Sequence, residues 1–313
     1  MPVSGMIGAL AMLCALCVDH FLGEPPTRLH PVVWIGKALT LTGAPWPKAG
    51  PAMAFTVGAL AWLIGAALSA GVAWLAVAGI GLVIGTSSVA GMLARAALVG
   101  LLLKPLLAWR MLRDEVSSVE RALECSVEAG RTQLRRLVSR DTSRLSATEV
   151  RESALESLAE NLNDSLVAPL FWFAIGGLPA AALYRFANTA DAMWGYHGRW
   201  EWAGKCAARA DDLLSYVPAR VAAGLLALSA WQWPSRLRQI AQVTPSPNGG
   251  WPMGMLALAL NVRLSKPGVY VLNASGDSAQ AHHLRAGLRT CERAAWLTAA
   301  LMIALTLMVA RWL

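Results

Sequence analysis

The sequence predicts an all-α integral membrane protein with four to six transmembrane helices and helical cytoplasmic insertions. Three observations carry that expectation. Of 313 residues, 56 % are hydrophobic and only 15 % charged, well below the charged share of ordinary soluble domains. Residues 51–103 hold a single charge, Arg95. No stretch of useful length alternates polar and apolar residues as a strand does, and no internal repeat is visible.

Taken in order, residues 4–18 read as a retained first span, because no charged leader and no small-residue cleavage site accompany them. Gly23, Pro25 and Pro26 end that helix and leave Asp19, Glu24 and His30 at the membrane boundary, with His30 read as an ordinary loop histidine. A continuous helix over residues 51–103 would be about 80 Å long at 1.5 Å per residue, far more than the roughly 30 Å hydrocarbon core. The segment must therefore fold back as two spans, with the glycines and serines of residues 78–88 at the turn. Arg110 to Asp164 carries nine arginines, so residues 108–164 are expected to form a helical, arginine-rich cytoplasmic insertion within one membrane-embedded domain, 1–313. Ser165–Tyr184 and Ala294–Ala310 have span length, whereas Val221–Ser235 is short enough to be re-entrant or interfacial.

The net charge of +8 falls in loops beside apolar runs, which is the pattern of cytoplasmic retention of positive charge. No basic-aromatic motif suggests a nucleic-acid partner; the bilayer is the expected surrounding, and self-association is left open. Five scattered cysteines, Cys14, Cys17, Cys125, Cys206 and Cys291, fit neither a disulfide framework nor a zinc site. Phosphate-loop, dinucleotide, serine-hydrolase and zinc-protease motifs are absent.

Chemistry concentrates in "ESALESLAENLNDSLVAPLFWFAIGGLPAAALY". On a helix, Glu149, Glu152, Glu156, Glu160 and Asn163 share an arc of about 80°, while Val150, Leu155, Leu158 and Leu162 lie elsewhere. Carboxylates four apart repel, and no Lys or Arg follows Glu152 or Glu156 at that spacing. The face is either solvated surface or, with Asn161 and Asp164 at a membrane rim, a ligand set for a hard cation such as Mg²⁺. Upstream, Asp141 or Ser146 can cap a helix, Ser146 and Glu149 form a capping box, and Arg140 and Arg144 can reach a phosphate. Downstream, Asn188 and Asp191 share a helical face, and Asp211 and Asp212 adjoin Arg209. Trp194, Tyr196, Trp200 and Trp202 read as an interfacial aromatic belt. The turn at Asn248-Gly249-Gly250 offers backbone amides for an anion, and His282 and His283, being adjacent, are expected to point apart.

The blocks "GEPPTRLHPVVWIGK", "RDTSRLS", "ESLAENLNDSLVAPLFWFAIGGLPAAALYRFANTADAMWGY", "ARADDLLSYVPARV" and "PSPNGGWPM", in this order over nearly the whole chain, resemble the CobD/CbiB family of cobalamin biosynthesis. The resemblance implies an adenosylcobinamide-phosphate synthase of the cytoplasmic (inner) membrane with its active site on the cytoplasmic side. Such a carbon-nitrogen ligase joins adenosylcobyric acid to aminopropanol phosphate, or a related amino-alcohol phosphate, at the expense of ATP and with Mg²⁺. Carried over, the catalytic set is Glu156, Glu160, Asn161, Asp164, Asn188 and Asp191. Arg140, Asp141, Arg144, Arg209 and Asn248 are expected to bind substrate and phosphates, and Glu160, Asp164, Asp191, Asp211 and Asp212 to place metal. The family pattern is glycine-richer before the tyrosine of residues 263–290, so no role passes to Lys266 or Tyr270. The membrane core also resembles the non-catalytic AmpE sensors, but the ENLND block and the paired aspartates favour the enzyme. The mechanism expects Glu160, Asp164, Asn188, Asp191 and Asp212 to meet in one cation-holding pocket.

Overall fold

A computed structural model describes residues 2–43, 46, 50–196 and 198–312. Among the described residues, thirteen α-helices run in the order α1 (Pro2–Leu22), α2 (Pro31–Gly43), α3 (Pro51–Val83), α4 (Val89–Leu103), α5 (Trp109–Cys125), α6 (Val127–Leu134), α7 (Ala147–Leu162), α8 (Ala168–Trp194), α9 (Lys205–Leu214), α10 (Tyr216–Ala230), α11 (Leu237–Ala241), α12 (Gly250–Ala259) and α13 (Ala281–Trp312). Among the described residues, five helices or helix runs are long and apolar enough to cross a membrane: Ser4–Leu22, Pro51–Val83, Val89–Cys125, Ala147–Trp194 and Ala281–Arg311. A sixth is added if the pair Lys205–Leu214 and Tyr216–Ala230 makes one span. The membrane-helical class and span number expected from the sequence are thus present.

Local chemistry sets the helix ends. Gly23 (φ 75°) terminates α1 in the left-handed conformation, its N–H donating to the Val18 carbonyl at 3.1 Å, a backbone state that glycine enters without steric cost. Pro31 and Pro51 stand at the first turn of α2 and α3, where a missing N–H costs nothing. The fold-back lies at residues 84–88, at the end of the predicted turn; Ser88 caps α4 by accepting from the Gly91 N–H at 3.1 Å.

The chain forms two compact units. The first comprises Met1–Ala108, Ala168–Leu214 and Ala299–Leu313. Its helices pack through small residues, as membrane helices do: a Cβ at Gly100 would lie 2.6 Å from the Ala11 carbonyl oxygen, and one at Gly65 would lie 2.2 Å from the Phe186 ring. Leu60, Leu63, Ile64, Leu68, Val72, Trp74 and Leu75 of α3 remain exposed, the signature of a surface solvated by hydrocarbon rather than water. Inside α8 the backbone leaves helical geometry at Gly176 and Gly177 (φ 65°) just before Pro179, so the predicted Ser165–Tyr184 span is broken rather than straight.

Trp194 is a core residue, clustered with Leu39, Ala66, Phe186 and Ala190, and Trp200 stacks on it with centroids 5.9 Å apart. This corrects the aromatic-belt reading for those two tryptophans, because their ring area is buried against α2 and α3; Tyr196 and Trp202 do stay exposed.

The second unit comprises Trp109–Val167 and Ser215–Thr298. Within the arginine-rich segment α5 packs against α7, and α7 also packs against α12 of the later chain. A two-stranded antiparallel hairpin, β1 (Leu264–Lys266) and β2 (Tyr270–Leu272), pairs Lys266 with Tyr270. Strands this short show no sequence period, which is why none was legible.

Candidate functional site

The second unit builds its polar site on α7. Ser146 and Glu149 form the capping box foreseen from the sequence, so Glu149 is engaged in starting the helix. Of the next three acidic positions, two are buried and paired and one is exposed. Glu152 is fully buried and receives Arg263 at 3.3 Å and the Ser265 hydroxyl. Glu156, 2 % exposed, receives Arg140 at 2.6 Å. Glu160 is open to solvent and lies against the Asn248-Gly249 turn, where a Cβ on Gly249 would be 3.2 Å from its Oε1. The counter-charges of Glu152 and Glu156 come from Arg263 and Arg140, not from helical neighbours, so the solvated-face reading is corrected for those two and not for Glu160.

The helix then loosens into a π turn, Asn163–Val167, a distortion that often marks functional positions. It directs the buried Asn163 amide to Asp164 at 2.8 Å, and Asn161 donates back to the Ser157 carbonyl at 2.9 Å. Glu160 is within electrostatic reach of Glu156, Asp164, Lys266 and Arg140. Tyr270 faces the same carboxylates: burial, then the charges of Glu156 and Glu160, push its hydroxyl well above the ordinary phenol range. Its hydroxyl donates to Met253 Sδ at 3.7 Å.

The expected substrate-binding residues are placed as follows. Asp141 is engaged with Ser143, accepting from its N–H at 2.9 Å and its hydroxyl at 3.0 Å, and those bonds hold its carboxyl below the usual range. Arg144 is exposed. In the Asn248-Gly249-Gly250 turn, the Asn248 and Gly249 amides both donate to Ser246 Oγ, at 3.2 and 3.3 Å, so these two are engaged within the turn. Asn248 instead accepts from Arg220 at 3.0 Å, whose guanidinium lies 3.5 Å from the Tyr216 ring centroid. His282 and His283 do not point apart; their rings are 3.9 Å apart, because His283 turns to accept the Gln280 N–H that begins α13.

In the first unit, Asn188 and Asp191 stand on α8 as predicted, with Asn188 donating to Asp211 at 3.4 Å and Arg185 to Asn188 at 3.5 Å. Arg209 and Asp212 pair at 3.5 Å. The GEPPTRLHP block folds as a charge network: Lys104, nearly fully buried, contacts Asp19 at 3.0 Å and Glu24 at 2.8 Å, and Glu24 also meets His30 at 3.1 Å. Burial acts to raise the Glu24 carboxyl, but the bonds from His30 and Lys104 outweigh it and hold it low. A cavity of about 760 Å³ adjoins this network, lined among others by Trp34, Leu68, Val72 and Leu178; it is apolar and contains none of the predicted catalytic residues.

The predicted ligands thus fall into two sets, Glu160 and Asp164 in one unit and Asn188, Asp191, Asp211 and Asp212 in the other. Among the described residues, no three His, Cys, Asp or Glu side chains are gathered as a preformed metal site. Sequence reasoning missed Arg263, Ser265, Lys266, Tyr270 and Arg220. Only the proline-glycine turn of the hairpin could have signalled some of them.

Residues 12–298 match the family described as CobD/Cbib protein. The chain is 36 % identical to the "Probable cobalamin biosynthesis protein CobD" of Methanothermobacter thermautotrophicus, covering 85 % of this chain and 87 % of that one. It is 35 % identical to the cobalamin biosynthesis protein CobD of Dehalococcoides mccartyi, over 84 % and 86 % of the two chains, and 35 % identical to that of Brucella anthropi over 96 % of both. No solved structure matches it. These matches do not favour the sensor alternative. With its membrane helices, its α7 carboxylate row and these relatives, the chain belongs to the CobD/Cbib family of cobalamin biosynthesis proteins.

Proposed function

We propose that the protein is an adenosylcobinamide-phosphate synthase, forming an amide between a propionate of adenosylcobyric acid and the amine of an amino-alcohol phosphate, driven by ATP. A carboxylate is a poor electrophile, so the propionate is first phosphorylated by ATP with release of ADP. The amine nitrogen then attacks the acyl carbon, phosphate departs, and the nitrogen gives up its proton to a protein carboxylate. The observation that carries this reading is the α7 row, where Arg140, Glu156, Glu160 and Asp164 set cationic and anionic side chains side by side. Such a surface serves a reaction that brings together anionic phosphates and an amine.

Glu160 is the candidate base, being the solvent-open carboxylate, whereas Glu156 is locked to Arg140. Mg²⁺ commonly takes one or two carboxylates and completes its shell with substrate phosphates and water. In the second unit Asp164, and separately in the first unit Asp191, Asp211 and Asp212, have the oxygen chemistry to hold such an ion. When bound, the ion would neutralise phosphate charge.

The test is mass spectrometry of the product formed by purified, detergent-solubilised protein from adenosylcobyric acid, ATP, Mg²⁺ and a panel of amino-alcohol phosphates. A product heavier by the dehydrated amine phosphate, accompanied by ADP, is expected. Absence of such a product with every amine would refute the assignment.

A further inference from the structure

We infer that the apolar cavity of the first unit is a lipid site, taking one acyl chain of a zwitterionic phospholipid with the headgroup ammonium directed to Glu24. This goes beyond the amide-forming reaction and does not depend on it. The cavity, about 760 Å³, has the size of a small-molecule site and lies wholly within the first unit. Its walls come from α1, α2, α3, α4 and α8, so four candidate spans contribute. On α3 the lining runs from Leu68 to Ala76, about 12 Å along the helix axis at 1.5 Å per residue. Leu68 and Val72, with Leu22 of α1 and Leu101 of α4, line the cavity and remain exposed. An opening between apolar residues of spanning helices faces hydrocarbon. Water inside it would find hydrogen-bond partners only at the charged end, whereas an acyl chain matches the walls along their length.

The charged end selects the headgroup. Glu24 and Lys104 both line the cavity. The Lys104 side chain is 3 % exposed and that of Glu24 19 %, so the carboxylate is the group presented. Lys104 is shared between Asp19 at 3.0 Å and Glu24 at 2.8 Å. With histidine counted as neutral at pH 7, two carboxylates around one ammonium leave one negative charge. Val18, Leu22 and Gly23 also line the cavity, which brings the last turn of α1, the negative end of its dipole, to the same place. Both favour a cationic group there and disfavour a headgroup that is only anionic. Arg28, exposed between the lining residues Pro26 and Leu29, is a cation for the lipid phosphate.

The experiment reconstitutes the full-length protein in vesicles of equimolar dioleoylphosphatidylcholine and dioleoylphosphatidylglycerol, re-extracts it in mild detergent and reads retained lipid by native mass spectrometry. Retained phosphatidylcholine is expected, favoured over phosphatidylglycerol by roughly fivefold, the effect of about one charge near a membrane surface. Ala76→Phe on α3 and Ala182→Leu on α8 should each fill the cavity and remove the retained lipid at unchanged helical content. Ile64→Phe, on the exposed face of α3 outside the cavity, should not. Glu24→Gln should keep a lipid and lose the preference. Absence of retained lipid, full retention in a folded cavity-filling variant, or a preference for phosphatidylglycerol would overturn the inference. Amide formation is read separately from product mass, so failure of the lipid site leaves the proposed reaction standing, and the reverse.

Discussion

Arg140 donates to Glu156 at 2.6 Å across sixteen residues of chain, and the carboxylate it meets is almost wholly buried. Removing one member of such a pair leaves an uncompensated charge in a low-dielectric setting, at about 3–5 kcal/mol. Arg140→Ala and Glu156→Ala should each lower the unfolding free energy strongly. The double variant should be less destabilised than the sum of the two, as denaturant titration in detergent would show.

Gly249 has helical dihedrals (φ −56°, ψ −33°), so alanine is tolerated by its backbone. Its added Cβ would nevertheless lie 3.2 Å from both Glu160 Oε1 and Met253 Cε. Gly249→Ala should change stability by less than about 1 kcal/mol while displacing Glu160 enough to reduce kcat/KM by roughly tenfold. Wild-type turnover from this variant would separate Glu160 from the chemistry.

At Gly195 the obstacle is closer: a Cβ would fall 2.0 Å from Asp191 Oδ1 and 2.7 Å from the Asp191 carbonyl oxygen. Because part of that contact is backbone, Gly195→Ala cannot be relieved by rotating one side chain. It should cost about 1–3 kcal/mol, read as a lowered thermal midpoint, and should disturb Asp191 where Gly249→Ala does not.

The Glu24 carboxyl is held low by His30 and Lys104. A depressed acid stabilises the fold at pH values above its unfolded pKa, near about 4.3, and that contribution disappears as pH falls through the lower folded value. Acid titration of stability should therefore show a loss below about pH 4.3 that Glu24→Gln lacks, the variant being less stable than the parent at neutral pH. Parallel acid limbs in the two proteins would contradict this.

The membrane class was legible because hydrocarbon demands long uncharged helices, and a run such as residues 51–103 has no other stable solution. The helix start at Ser146 was readable for the same local reason: its capping chemistry acts within one turn. The α7 acidic face was also readable, since helical periodicity alone places Glu152, Glu156 and Glu160 together. Their partners were not, because Arg140, Arg263, Ser265 and Tyr270 reach α7 only through tertiary contacts that no spacing rule encodes.

The sequence by itself determined the class of fold, the family and the carboxylate row. Those follow from composition, from local propensity and from residues close along one helix. Tertiary structure alone decided that Asp141 serves a turn, that the Asn248-Gly249 amides are engaged, that Trp194 is core, and that a three-residue strand pair brings Lys266 and Tyr270 to the carboxylates. Each is a competition for one polar or apolar partner, and its outcome depends on which distant segment arrives in reach.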